Sequence, residues 1–150
     1  DGQQCPCGNV GCLELYASAT AIISNTITEL EKGGSSVLKE FNNGNFYKVK
    51  AIDIYSAAIE GDPLARNIMR EAGKGLGIGI ANVINIMSPD AIILTGGLIG
   101  AWNIYIESAI KEASRRALKE LYGNVQIIAS TLGDDAGLIG AAQLVRDRNA

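Results

Sequence analysis

Histidine is missing from this 150-residue chain altogether. Without an imidazole there is no Ser–His or Cys–His nucleophile pair, and any general base must be a carboxylate. Long apolar runs are lacking too. The longest, Leu76 to Met87, is interrupted by Asn82 and Asn85, stops at Ser88-Pro89-Asp90 and falls short of the ~20 residues of a membrane-spanning helix. Excess charge of one sign is also absent. Lys and Arg number 13 against 16 Asp and Glu, a net charge of −3, so nothing draws the chain to nucleic acid or an anionic membrane. The basic pair Arg115-Arg116 has acids nearby and reads as a solvated face. Aromatics are few, and Trp102, Tyr16, Tyr47, Tyr55, Tyr105 and Tyr122 read as packing or capping residues. Apolar residues make up 47% of the chain, which excludes a disordered polymer and suits one compact domain.

Cysteine is scarce and concentrated. All three, Cys5, Cys7 and Cys12, lie in the run Cys5-Pro6-Cys7-Gly8-Asn9-Val10-Gly11-Cys12-Leu13-Glu14. Thiols gathered in a Gly/Pro/Asn loop suit a tetrahedral zinc ion, which takes four ligands. A disulfide would leave one thiol over and require a tight Cys-x-Cys ring. Metal-bound thiols point to a reducing, cytoplasmic compartment. The fourth donor is expected from an upstream segment, and the first residue, Asp1 rather than Met, fits a truncated chain.

Residues 1–12 read as a loop. The three-to-four spacing of Leu13, Ala17, Ala21, Ile27 and Leu30 predicts a helix from Leu13 to about Lys32, ended by Gly33-Gly34. After a polar stretch and a turn at Asn42-Asn43-Gly44-Asn45, a helix is expected from about Lys50 to Glu60. Gly61-Asp62-Pro63 breaks it, with Pro63 suited to a helix's first turn. A long helix follows, from about Leu64 to Met87. Its Gly73, Gly75, Gly77 and Gly79 each cost up to about 1 kcal/mol relative to alanine, so they imply direct backbone approach by a neighbour. They match neither a dinucleotide fingerprint, since the third positions are Ile78, Ile80 and Asn82, nor a P-loop, since no Ser or Thr follows Lys74.

Ala91 to Thr95 reads as a buried parallel strand, followed at once by Gly96-Gly97. A helix from about Trp102 to Tyr122, a strand from Val125 to Ala129 and a last helix to about Arg146, N-capped by Asp134-Asp135, complete an α/β pattern. Two strands alone make a poor sheet, so further strands are expected upstream.

Two places can carry chemistry. Gly96-Gly97 lies where ligands gather in parallel α/β sheets, and its bare backbone suits either a phosphate or a turn needing positive φ. Thr131-Leu132-Gly133-Asp134-Asp135-Ala136-Gly137 is a second glycine turn at the equivalent strand end. Glu14, just past the cysteines, suits either a pair of sugar hydroxyls or the start of a helix.

Cys5-x-Cys7-Gly8-x-x-Gly11-Cys12-Leu13-Glu14 closely resembles the zinc signature of the ROK family (repressor, open reading frame, kinase). Ala17-Ser18-Ala19-Thr20 continues in the style of its bacterial glucokinases. Asn85-x-x-x-Pro89-x-x-Ile92-Ile93-Leu94-x-Gly96-Gly97 and the run from Leu132 to Ala142 resemble its later segments. The resemblance implies an actin/hexokinase-like (ribonuclease H-like) α/β fold, with residues 1–150 as one partial domain, the C-terminal lobe of a two-lobed enzyme truncated at its N-terminus. It implies an ATP-dependent sugar kinase acting on a hexose such as glucose with Mg-ATP, in the cytoplasm and as a dimer. Cys5, Cys7 and Cys12 would ligate structural zinc with an upstream histidine. Glu14 would bind sugar, and Gly96 and Gly97 would line the nucleotide site. The catalytic aspartate would lie outside this chain, leaving the 150 residues inactive alone. A sugar-sensing domain of a ROK transcriptional repressor is the alternative, and a zinc-stapled structural domain a third.

Overall fold

The chain is described by a computed structural model covering residues 2–147. Eight α-helices, five short 3₁₀ or π-helical segments and two strands are defined among them. The region expected as one helix from Leu13 to Lys32 is two. α1 is a single turn (Glu14–Ala17) and α2 runs Ala19–Glu31, with Ser18 extended between them at ψ 164°. The Ser18 hydroxyl accepts the Ala21 N–H (3.0 Å), so the break is itself an N-cap for α2.

The stretch after Gly33-Gly34 is less polar in role than in composition. A 3₁₀ turn over Val37–Glu40 sends Leu38 into the core. The expected turn at Asn42–Asn45 forms around α3 (Phe41–Gly44), where Asn42 and Asn43 take left-handed angles (φ 49° and 57°) that asparagine tolerates. α4 (Ala51–Glu60) starts where the Asp53 carboxylate accepts the Lys50 N–H (2.8 Å) and ends at left-handed Gly61. Asp62 then caps α5 (Pro63–Met87), its carboxylate accepting the N–H groups of Ala65 (2.9 Å) and Val37 (2.8 Å). Burial pushes the Asp62 carboxyl up, but these N–H groups outweigh it and hold it below the usual carboxylate range.

α5 is the axis of the fold, and its glycines form two stripes. A Cβ at Gly73 would strike the Tyr105 carbonyl, and one at Gly77 the Ala109 carbonyl. Two residues on, and therefore on the opposite side of the helix, Gly75 abuts Tyr16 and Gly79 abuts Leu13. The four glycines therefore let two different neighbours approach α5, as their density in the sequence required.

The expected helix from Trp102 to Tyr122 is also divided. A π-helical turn (Trp102–Ile106) leads into α6 (Glu107–Arg116), the chain turns extended at Ala117, and α7 (Lys119–Tyr122) is one further turn. Arg115 and Arg116 lie on a solvated face beside an acid, as expected, with side chains 71% and 52% exposed, and both reach Glu112, a buried acid facing α5. The Arg116 hydrogen bond is the main cause holding Glu112 below the usual carboxylate range.

β1 (Ala91–Leu94) and β2 (Gln126–Ala129) pair in parallel, Ala91 opposite Gln126 and Leu94 opposite Ala129. β1 is not the fully buried strand expected. Its residues alternate between exposed and half-covered, and Ile93 is 63% exposed, because α5 and α6 cover only one face. A 3₁₀ turn (Gly133–Asp135) precedes α8 (Ala136–Asp147). The expected capping role of Asp134 rests on a side chain outside the described ones. The main core joins α2, α4 and α5 to the π turn through Ile22, Ile54, Met69 and Ile106. A second cluster holds α5, α6 and the strands.

Candidate functional site

The cysteine loop is a compact reversal. Gln4 and Val10 form an isolated antiparallel bridge, the Cys5 N–H donates to the Asn9 carbonyl (2.8 Å), and the Gly11 N–H donates to the Gln3 carbonyl (2.9 Å). Gly8 and Gly11 supply the positive φ values (93° and 77°) that close the loop. The result brings the three sulfurs within 4.8 Å of one another, with Cys7 and Cys12 Sγ 3.5 Å apart. Tetrahedral zinc with bonds of about 2.3 Å to sulfur requires sulfurs at about 3.8 Å, so the donor set has the right size.

The thiols also have the right electrostatics for a cation. The Asn9 backbone N–H, with the Cys5 and Cys12 side chains, pulls the Cys7 thiol down. The neighbouring Cys7 and Cys5 push Cys12 up to about 11. Thiolates gathered this closely repel one another, and a cation among them would relieve that repulsion.

Glu14 follows without slack. The Cys12 carbonyl accepts the Leu15 N–H (3.0 Å), so the loop runs directly into α1. Glu14 is exposed and lines a cavity of about 290 Å³ together with Cys5, Ser18, Thr20 and Asn25. No basic side chain pairs with it among the described residues. A helix of one turn has little dipole for an acid to complement, which weakens the helix-start reading.

The two glycine turns come together as the parallel pairing requires. The Thr95 hydroxyl donates to the Gly133 carbonyl (3.1 Å), and the Ser130 N–H donates to the Leu94 carbonyl (2.7 Å). A cavity of about 540 Å³ opens here, lined by Gly96, Gly97, Gly100, Tyr55 and Tyr105 and walled mainly by apolar groups. Gly96 has φ 107°, so the turn alone explains it. Gly97 has no such angle, and a Cβ there would meet nothing within 4 Å. Neither backbone strain nor packing among the described residues accounts for that second glycine.

Tyr16 and Tyr105, read from the sequence only as packing or capping residues, tie these regions together. The Tyr16 hydroxyl accepts the Gln3 N–H (2.9 Å), pinning the cysteine loop to α1. Tyr105, buried, donates its hydroxyl to the Ala17 carbonyl. Burial first, and the Glu14 carboxylate second, push Tyr105 up to about 12, so the phenol stays a donor. Only the proximity of Tyr16 to the cysteine motif could have flagged it, and nothing local marks Tyr105.

Residues 1–148 match the ROK family. The chain belongs to the ROK family. A glucokinase from Thermotoga maritima is 32% identical over 148 residues, covering 99% of this chain and 46% of that protein. A xylose repressor from Bacillus subtilis is 31% identical over 147 residues, covering 98% of this chain and 34% of the repressor. This ROK chain thus spans about half, or less, of the length of the relatives it matches. Among solved structures, a ROK family glucokinase from Streptomyces griseus in complex with glucose and AMPPNP superposes with a TM-score of 0.84 at 31% identity. That alignment covers 98% of this chain and 48% of the other. The α/β, actin/hexokinase-like fold class expected from the sequence therefore holds. No helix among the described residues is long and apolar enough to cross a membrane.

Proposed function

We propose that this ROK chain is one lobe of a two-lobed, ATP-dependent hexose kinase, with glucose the first sugar to test. Cys5, Cys7 and Cys12 hold structural zinc, with a fourth ligand from outside these 150 residues. The ion's contribution is to lock the loop and neutralise its thiolates. Cys12, held in that loop, sets α1 so that Glu14 accepts hydrogen bonds from sugar hydroxyls. Gly96 and Gly97 present bare backbone to the nucleotide phosphates. The γ-phosphoryl group of Mg-ATP passes to a sugar hydroxyl, whose proton goes to a carboxylate of the other lobe. The enzyme works in the cytoplasm as a homodimer.

The observation that carries this reading is the convergence of three sulfurs directly ahead of the turn bearing an unpaired, cavity-lining Glu14. The similarity to xylose repressors at the same identity favours a second reading, a sugar-sensing lobe without catalysis. The test is binding and turnover by the zinc-loaded 150-residue chain. Glucose and AMPPNP should both bind, Glu14→Gln should abolish the first and spare the second, and no ATP should be consumed. Glucose binding without AMPPNP binding transfers the chain to the sensing reading. Absence of glucose binding overturns the sugar assignment, and brisk hexose-dependent ATP turnover overturns the division between lobes.

A further inference from the structure

The two candidate ligand cavities share a wall. Ala19 lines the glycine cleft, while Ser18 and Thr20, on either side of it in sequence, line the cavity of Glu14. The junction between α1 and α2 therefore faces nucleotide on one side and sugar on the other, on the reading proposed above.

That junction cannot hold itself. α1 has four residues, too few for a helix to be stable without outside contacts. Tyr16, its third residue, tethers it to the cysteine loop at Gln3. At its far end the Ala17 carbonyl is an end carbonyl of the helix, and it is taken by the hydroxyl of Tyr105, 88 residues along the chain. Tyr105 is 4% exposed and stands in the π-helical turn that follows the glycine cleft, whose lining it shares. Its own carbonyl rests on Gly73 of α5, where any Cβ would collide. The backbone of Tyr105 is thus seated on the central helix, the residue borders the cleft, and its hydroxyl reaches the turn that carries Glu14.

We propose that Tyr105 is a positioning residue that sets Glu14 in register with the glycine cleft, so that nucleotide in the cleft and sugar at Glu14 bind interdependently. The inference rests on the two-site reading above. It differs from that reading in locating the link at one hydroxyl. Occupation of the cleft bears on the π turn and on Ala19, and the Tyr105–Ala17 hydrogen bond passes that constraint to α1.

Tyr105→Phe keeps the ring and its packing and removes only the donor. In the zinc-loaded chain, amides of residues 14–22 should exchange with deuterium about tenfold faster in the variant, as expected for loss of one buried hydrogen bond, while those of α5 keep their rates. Glucose should bind about tenfold more weakly and AMPPNP alone within about twofold of the unchanged chain. AMPPNP should tighten glucose binding about fivefold in the unchanged chain and leave it unaltered in the variant. A purely structural role would slow or speed exchange throughout and weaken both ligands together, and that result overturns the proposal. So does unchanged exchange over residues 14–22, or an AMPPNP effect of equal size in both proteins. If the unchanged chain binds neither ligand, the functional reading fails and with it the interdependence of the two sites.

Discussion

The glycines of α5 and those that follow β1 look alike in sequence, and the structure gives them opposite reasons. Gly73 and Gly77 are bare because the backbone of the π turn and α6 fills the space a side chain would need. Gly97 and Gly100 are bare although nothing among the described residues would obstruct a Cβ within 4 Å. A glycine crowded by its own chain is explained by packing. One standing in open space beside a cavity, without a positive φ, is left to be explained by something that comes from outside the chain. The difference separates the structural part of the molecule from the part that can bind.

The sharpest way to break this contrast is to add one methyl group on each side of it. At Gly77 a Cβ would meet the Ala109 carbonyl and lie 2.7 Å from the Glu112 Cβ, so α5 and α6 have to separate. Alanine brings back up to about 1 kcal/mol of helix propensity, but overpacking a closed interface costs about 1–3 kcal/mol and here also disturbs the cluster around Ile80 and Ala113. Gly77→Ala should lose about 2 kcal/mol in urea unfolding with an unchanged m-value. A loss below about 0.5 kcal/mol would mean that the helices yield freely and that the stripe is not a packing constraint.

Gly97→Ala should behave in the opposite way. With open space around it and no special φ, its stability should stay within about 0.5 kcal/mol of the unchanged chain. AMPPNP affinity should fall about tenfold, about 1.4 kcal/mol, as the methyl holds phosphate off the backbone. If the variant is less stable yet binds as well as before, the second glycine serves the turn, and the cleft loses its strongest support.

How much of this was legible beforehand follows from the range of each interaction. The cysteine cluster is local. Positions 5, 7 and 12 are joined by a loop whose glycines and short hydrogen bonds are themselves local, so the spacing was enough to expect the sulfurs to meet. The strands and their parallel pairing followed from apolar runs at the right separation. The break at Ser18 was hidden, because the spacing of Leu13, Ala17 and Ala21 continues through it as one helix would. What divides the helix is the Ser18 cap together with a hydrogen bond from Tyr105, a contact 88 residues long that no periodicity encodes. The division of the helix after Trp102 and the pairing of both arginines with Glu112 likewise depend on how α6 lies against α5. The exposure of Ile93 was missed because an apolar strand reads as buried whether or not anything covers its second face.

The contrast can be refined inside α5 itself. Gly79 is crowded too, though less closely than Gly77, with a Cβ falling 2.8 Å from Leu13 Cδ2, and the obstacle is the end of a side chain rather than a backbone carbonyl. Leu13 is 45% exposed and has room to turn to another rotamer at small cost. The up to about 1 kcal/mol of helix propensity that alanine restores should roughly cancel that adjustment. Gly79→Ala is therefore expected within about 0.5 kcal/mol of the unchanged chain, the smallest of the three effects. A loss of 2 kcal/mol, as large as that expected at Gly77, would show that Leu13 cannot move. The segment leading into α1 would then be clamped on α5 by that leucine, and the stripe facing the cysteine loop would be as rigid as the one facing α6.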